Sequence, residues 1–104
     1  MIKGQYKKTG ISAQLLEFLH NLFKGYPGVM AVTLFGSRAK GTYHEGSDID
    51  LVIKGSLQKT DHFQLLDKLE ESPTLLKIDA LFENQITSKD LLDHISRVGI
   101  ALYP

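Results

Sequence analysis

The run from Leu34 to Ile53, LFGSRAKGTYHEGSDIDLVI, constrains this chain more than any other part of it. A Gly-Ser turn, Gly36-Ser37, closes the apolar, β-branched run 29–35, and an Asp-x-Asp, Asp48 and Asp50, opens a second such run. Ten residues lie between Ser37 and Asp48. Both flanking runs read as strands, because β-branched and aromatic residues suit a pleated surface.

Side chains alternate across a strand. Asp48, Asp50 and Val52 therefore share one face, and Ile49, Leu51 and Ile53 share the other. The apolar face is expected to pack against helices, leaving the aspartates on the open face. In the later segment KIDALF, Asp79 falls with Lys77 and Leu81, while Ile78, Ala80 and Phe82 face away. If the second and third strands are neighbours, Asp79 meets Asp48 and Asp50. Two unit charges about 5 Å apart interact with roughly 3 kcal/mol at an effective dielectric of 20, so such a cluster calls for a cation. Oxygen ligands without histidine or cysteine favour Mg²⁺ over zinc. Two such ions would activate an attacking oxygen and stabilise a leaving pyrophosphate. Asp79 would complete the metal ligands Asp48 and Asp50 and is a candidate general base. An isolated Asp-x-Asp is more often a solvated turn; here the strand context of all three aspartates argues for the metal site.

Gly36 permits close backbone approach and unusual dihedrals. Ser37 brings a hydroxyl and an N–H suited to phosphate oxygens. Arg38 and Lys40 are near enough to add positive charge. Gly36, Ser37 and Arg38 are thus the candidate nucleotide-binding residues, and the whole run suits a metal-bound nucleoside triphosphate. His44 and Glu45 read as exposed loop residues. His20, His62 and His94 fall on expected helices without metal-like spacing, and read as structural or surface residues.

With 104 residues the chain fits one domain. Twelve basic residues balance twelve acidic ones, which argues against a partner such as long nucleic acid but not against a metal-bound phosphate. Without cysteine there is neither a disulfide framework nor a thiolate zinc site. The first ten residues lack the apolar core of a signal peptide, and no stretch approaches membrane-spanning length, so the expected location is cytoplasmic.

Residues 1–10 are polar and expected to fray. Helical spacing of apolar residues covers 11–24, with Ser12 as N-cap, and again 60–71 and 88–98, the last capped at Thr87/Ser88. Strands are expected over 29–35, 47–53 and 75–82, a short helical turn over 36–40, a loop over 41–46, and an apolar tail over 100–103. The order α-β-β-α-β-α gives a small α+β layer structure.

These motifs resemble the minimal nucleotidyltransferases of the DNA polymerase β superfamily. Gly36-Ser37, ten residues, then Asp48-Ile49-Asp50 matches that family's GSx10DxD signature, and Asp79 matches its later third carboxylate. The resemblance runs from the first helix to the final apolar segment, and implies that residues 1–104 form one minimal nucleotidyltransferase domain. It implies a small mixed β-sheet with helices packed on one face and catalytic carboxylates on the other. It also implies that Ser37 contacts the triphosphate of ATP, that Asp48 and Asp50 bind Mg²⁺, and that Asp79 completes the site. Larger relatives carry an acceptor-binding domain after the catalytic one, about where this sequence stops. Stand-alone members resemble the antitoxin halves of HEPN/MNT toxin–antitoxin pairs, which add AMP from ATP to a tyrosine of a small helical partner. The implied partner is such a HEPN-type protein, encoded by the adjacent gene.

The leading expectation is a Mg²⁺-dependent nucleotidyltransferase, of the protein adenylyltransferase kind, acting as an antitoxin. One alternative is a non-catalytic antitoxin that neutralises by covering its partner. Another is a nucleotidyltransferase for a small molecule or an RNA end; neutral charge disfavours long RNA. A metal-dependent phosphoesterase would not need the Gly-Ser turn.

Overall fold

The computed structural model describes residues 8–104. In chain order the elements are α1 (Ala13–Lys24), β1 (Val29–Phe35), α2 (Gly36–Lys40), β2 (Ile49–Gly55), α3 (Lys59–Glu70), β3 (Ile78–Phe82), a 3₁₀ turn (Glu83–Gln85), α4 (Lys89–Val98) and β4 (Ile100–Tyr103). The four strands form one sheet in the order β3-β2-β1-β4. β1 runs antiparallel to both of its neighbours, β2 and β4, and β2 runs parallel to β3. A parallel pair needs a crossover between its strands, and α3 supplies it.

The helices begin and end where their sequence dictates. The Ser12 hydroxyl accepts from the Leu15 N–H at 3.1 Å and starts α1; Ser88 does the same for α4 through the Leu91 N–H at 3.2 Å. Such a cap satisfies one of the four amide donors that a helix leaves open. The apolar stripe of α1, Leu15, Leu16, Leu19 and Phe23, is buried. It meets Val32 and Leu34 of β1, Ile49, Leu51 and Ile53 of β2, and Leu65 and Leu69 of α3 in one core. The register confirms which residues share that face. Ile53 pairs with Val32 and with Phe82, and Leu51 pairs with Leu34 and with Ala80.

The expected small α+β fold with a mixed sheet is what the chain adopts. Two strand starts and one element differ from expectation. β2 starts at Ile49 rather than 47, because Ser47 is held in a local turn: its N–H donates to the His44 carbonyl and its hydroxyl accepts from the His44 N–H. Such side-chain bonding competes with the strand ladder. β3 starts at Ile78 rather than 75, because Thr74 closes a turn through the Ser72 carbonyl and the Leu76 N–H, leaving Leu75 fully exposed. The apolar tail is a fourth strand on the free edge of β1, and it inserts Leu102 into the core.

The expectation of a frayed start falls partly on residues 1–7, outside the described residues. At Thr9 it is corrected: this residue is 1% exposed, and its carbonyl accepts from the Arg38 guanidinium.

Candidate functional site

Asp50 and Asp79 are register partners on the parallel strands β2 and β3. Neighbouring strands lie about 4.8 Å apart, so their side chains stand next to each other on the face opposite the core. Asp48 sits two residues ahead of Asp50, exposed, just before β2 begins. Asp50 is half-buried, and its carboxyl holds its proton to higher pH than an ordinary aspartate. The main cause is burial, followed by the negative charges of Asp79 and then Asp48; His94 and Lys77 pull the other way. The three expected carboxylates therefore feel one another around Asp50.

Phe35, which pairs with Asp50 across β1 and β2, hands the chain to the Gly36-Ser37 turn. Gly36 has a φ of 74°, in the left-handed region that favours glycine. A β-carbon there would run into the Asp50 carboxylate. The turn backbone thus lies directly against the carboxylate, which requires glycine on two independent grounds. A Gly36→Ala variant combines a backbone penalty of about 1–2 kcal/mol with that collision. Its melting temperature is expected to fall by roughly 10 °C in thermal unfolding. A fall of only a degree or two would show that the turn has room to move.

Arg38 has a different position from the one implied by its proximity to the turn. The side chain is 2% exposed. Its Nε donates to the Ser47 carbonyl at 3.0 Å, one Nη to the Thr9 carbonyl at 2.8 Å and the other to the Glu45 carbonyl at 3.1 Å. The guanidinium also lies 4.7 Å over the Tyr43 ring. The expectation of a phosphate contact is therefore corrected: Arg38 is committed to three backbone carbonyls. Two of these belong to the loop that delivers Asp48. Ser37 remains at the turn, half-buried, beside Gly36.

His94 was expected to be structural or superficial, and instead it joins the site. Its Nε2 accepts from the Gly36 N–H at 3.3 Å, and its ring meets Phe35 edge-on at 6.2 Å. The signal was present in the sequence. Leu91, His94, Ile95 and Val98 form one stripe of α4, so the histidine is a polar residue on the helix's inward side. Helix α4 lies against α2 and β1, and so it reaches the carboxylate face through His94 while α1 and α3 cover the other. His44 and Glu45 are exposed loop residues, as expected.

The donor set fits Mg²⁺. Asp50 and Asp79 offer carboxylate oxygens on one face beside Asp48, and Mg²⁺ commonly takes one or two carboxylates, keeping its other positions for water and phosphate. Among the described residues no three acidic or histidine side chains form a ready ion-holding group, so a closed cage built from all three aspartates is not preformed. Phosphate oxygens arriving at the turn would supply the remaining ligands.

A turn set against a carboxylate pair on the face of a small mixed sheet opposite its main core defines a class of α+β domain, and the family follows from it. Residues 17–104 match the family model described as Polymerase beta, Nucleotidyltransferase. The chain belongs to this polymerase β-type nucleotidyltransferase family. It is 35% identical over 78 residues to the candidate protein adenylyltransferase MJ0604 of Methanocaldococcus jannaschii, spanning 74% of this chain and 73% of that protein. Among solved structures it resembles a chain of a toxin–antitoxin complex with AMP-PNP, with a TM-score of 0.67 at 24% identity, over 84% of this chain and 71% of the other. It also resembles a chain from the complex of the tri-AMPylated Shewanella oneidensis HEPN toxin with its MNT antitoxin, with a TM-score of 0.60 at 20% identity, over 85% and 68% of the two chains. At these identities the structural likeness establishes the fold.

Proposed function

We propose that this protein transfers AMP from ATP to a hydroxyl group, namely a tyrosine of a small helical HEPN-type partner, and thereby acts as an antitoxin. The observation that carries this reading is the in-register pairing of Asp50 with Asp79 on the face opposite the main core, with the Gly36 backbone pressed against Asp50. In this reading Asp48, Asp50 and Asp79 hold Mg²⁺, two ions in all. Gly36 and Ser37 grip the triphosphate, and Arg38 braces the loop that carries Asp48. The bound cation supplies the positive charge that lets an anionic face accept a polyphosphate. Asp79, exposed on the outer strand β3, takes the proton of the acceptor hydroxyl in this reading.

The choice of acceptor rests on relatives. The Methanocaldococcus jannaschii protein is named for adenylyl transfer to protein, and the Shewanella oneidensis complex joins an MNT antitoxin to an AMPylated HEPN toxin. ATP as donor is in keeping with AMP-PNP in the other solved complex. Among the described residues no helix is long and apolar enough to cross a membrane, which fits a cytoplasmic pair. The partner is proposed to be encoded by the adjacent gene.

The test is transfer of label from α-³²P-ATP. With Mg²⁺ present, label is expected on a tyrosine of the co-expressed HEPN partner, and chelation by EDTA is expected to stop it. A partner that stays unlabelled with every nucleotide, while still being neutralised, would instead favour inhibition by complex formation.

A further inference from the structure

His94 occupies a donor that the proposed triphosphate would want. Its Nε2 lies 3.3 Å from the Gly36 nitrogen and accepts that N–H. A backbone N–H can only donate, so Nε2 carries a lone pair, and the neutral ring keeps its proton on Nδ1. A phosphate oxygen is likewise only an acceptor. The one Gly36 proton cannot serve both in good geometry. Nor can the turn readily swing that N–H elsewhere, since the left-handed φ and the contact with Asp50 fix its direction.

We propose that His94 holds the Gly36 N–H in place of a phosphate oxygen and is displaced from it when nucleotide binds. This rests on the nucleotidyltransferase reading above. The exchange is favourable, because a hydrogen bond to a charged phosphate oxygen is shorter and stronger than one to a neutral imidazole. Breaking the resident bond still lowers the apparent affinity. His94 is thus a positioning residue: it keeps the turn satisfied and ordered without nucleotide, and sets how tightly the triphosphate binds.

The test is calorimetric titration of the full chain with Mg²⁺ and AMP-PNP. His94→Ala removes the competing acceptor and is expected to tighten binding by about threefold to tenfold, the scale of one neutral hydrogen bond. His94→Gln restores an acceptor on a flexible arm and is expected to return the affinity to within about twofold of the original. In the unsubstituted protein, the through-hydrogen-bond NMR coupling between the Gly36 amide and His94 Nε2 is expected to vanish at nucleotide saturation. Should the alanine variant fail to fold, this coupling decides alone. A folded alanine variant that binds equally or more weakly overturns the proposal, as does a coupling that survives saturation. Failure of the unsubstituted protein to bind any Mg²⁺-nucleotide overturns the transferase reading along with it.

Discussion

Replacing Asp50 with asparagine is expected to abolish transfer while making the protein more stable. Asp50 stands at the centre of the carboxylate group, half-buried, with Asp79 beside it and Asp48 close by. Losing its charge removes a proposed cation ligand, and a drop of roughly 10³-fold in rate corresponds to about 4 kcal/mol of transition-state stabilisation. The same change relieves burial of a charge and repulsion from two neighbours. A gain of about 1 kcal/mol would raise the melting temperature by roughly 4–8 °C in a domain of this size. Asp48→Asn should lose transfer with a smaller gain, since Asp48 is exposed and its charge is largely solvated.

The pH dependence gives this prediction a sign. The folded protein holds the Asp50 proton to higher pH than the unfolded chain does. The folded state therefore binds more protons in that interval, and stability falls as pH rises from the ordinary aspartate value of about 3.9 through the raised folded value. Above that window the ionised Asp50 detracts from stability by a constant amount. The stabilisation in Asp50→Asn should be complete there and shrink as pH drops through the window. Melting curves of both proteins from pH 3 to 8 measure it. A variant that melts well below the unsubstituted protein at neutral pH would show that Asp50 is a structural residue.

Arg38→Ala should be the most damaging substitution to the fold around the site. It strips three backbone carbonyls of a charged donor and leaves Tyr43 without the cation over its ring. Charged hydrogen bonds contribute about 1.5–3 kcal/mol each, and some of the freed carbonyls will find water, so a loss of about 3 kcal/mol is expected. That corresponds to a fall of roughly 15 °C in melting temperature. Transfer should fall as well, because the Ser47 carbonyl immediately precedes Asp48 in the chain. Arg38→Lys should recover only a minor part, because one ammonium cannot fork to three carbonyls. If Arg38→Ala melts normally but binds nucleotide weakly, then Arg38 contacts the phosphates after all.

The carboxylate face was legible because strand side chains alternate and the register sets Asp50 beside Asp79; the burial of Val52 on that same face was not, because α4 packs there from far along the chain. That the second and third strands are neighbours was only a condition; the α3 crossover meets it by bringing them together in parallel. The fourth strand was not legible. Four residues directly after α4 carry too short a pattern, and only the free edge of β1 gives them a ladder. Arg38 shows a different limit. Its closeness to the turn in sequence said nothing about the 41–47 loop folding back around it, nor about Thr9 lying 29 residues away. His94 was hidden by distance too: 58 residues separate it from Gly36. Local spacing identifies the carboxylates and the turn, whereas the groups that hold the turn come from contacts remote in sequence.

The proposed AMP transfer requires a metal-bound triphosphate lying between the Gly36-Ser37 turn and the aspartates. Crystals grown with Mn²⁺ and AMP-PNP test it most directly, because manganese is visible by its anomalous scattering. Anomalous density is expected about 2.1 Å from oxygens of Asp50 and of Asp48 or Asp79, with phosphate oxygens at the turn. Manganese or triphosphate found elsewhere on the molecule, with these carboxylates still bare, would contradict it.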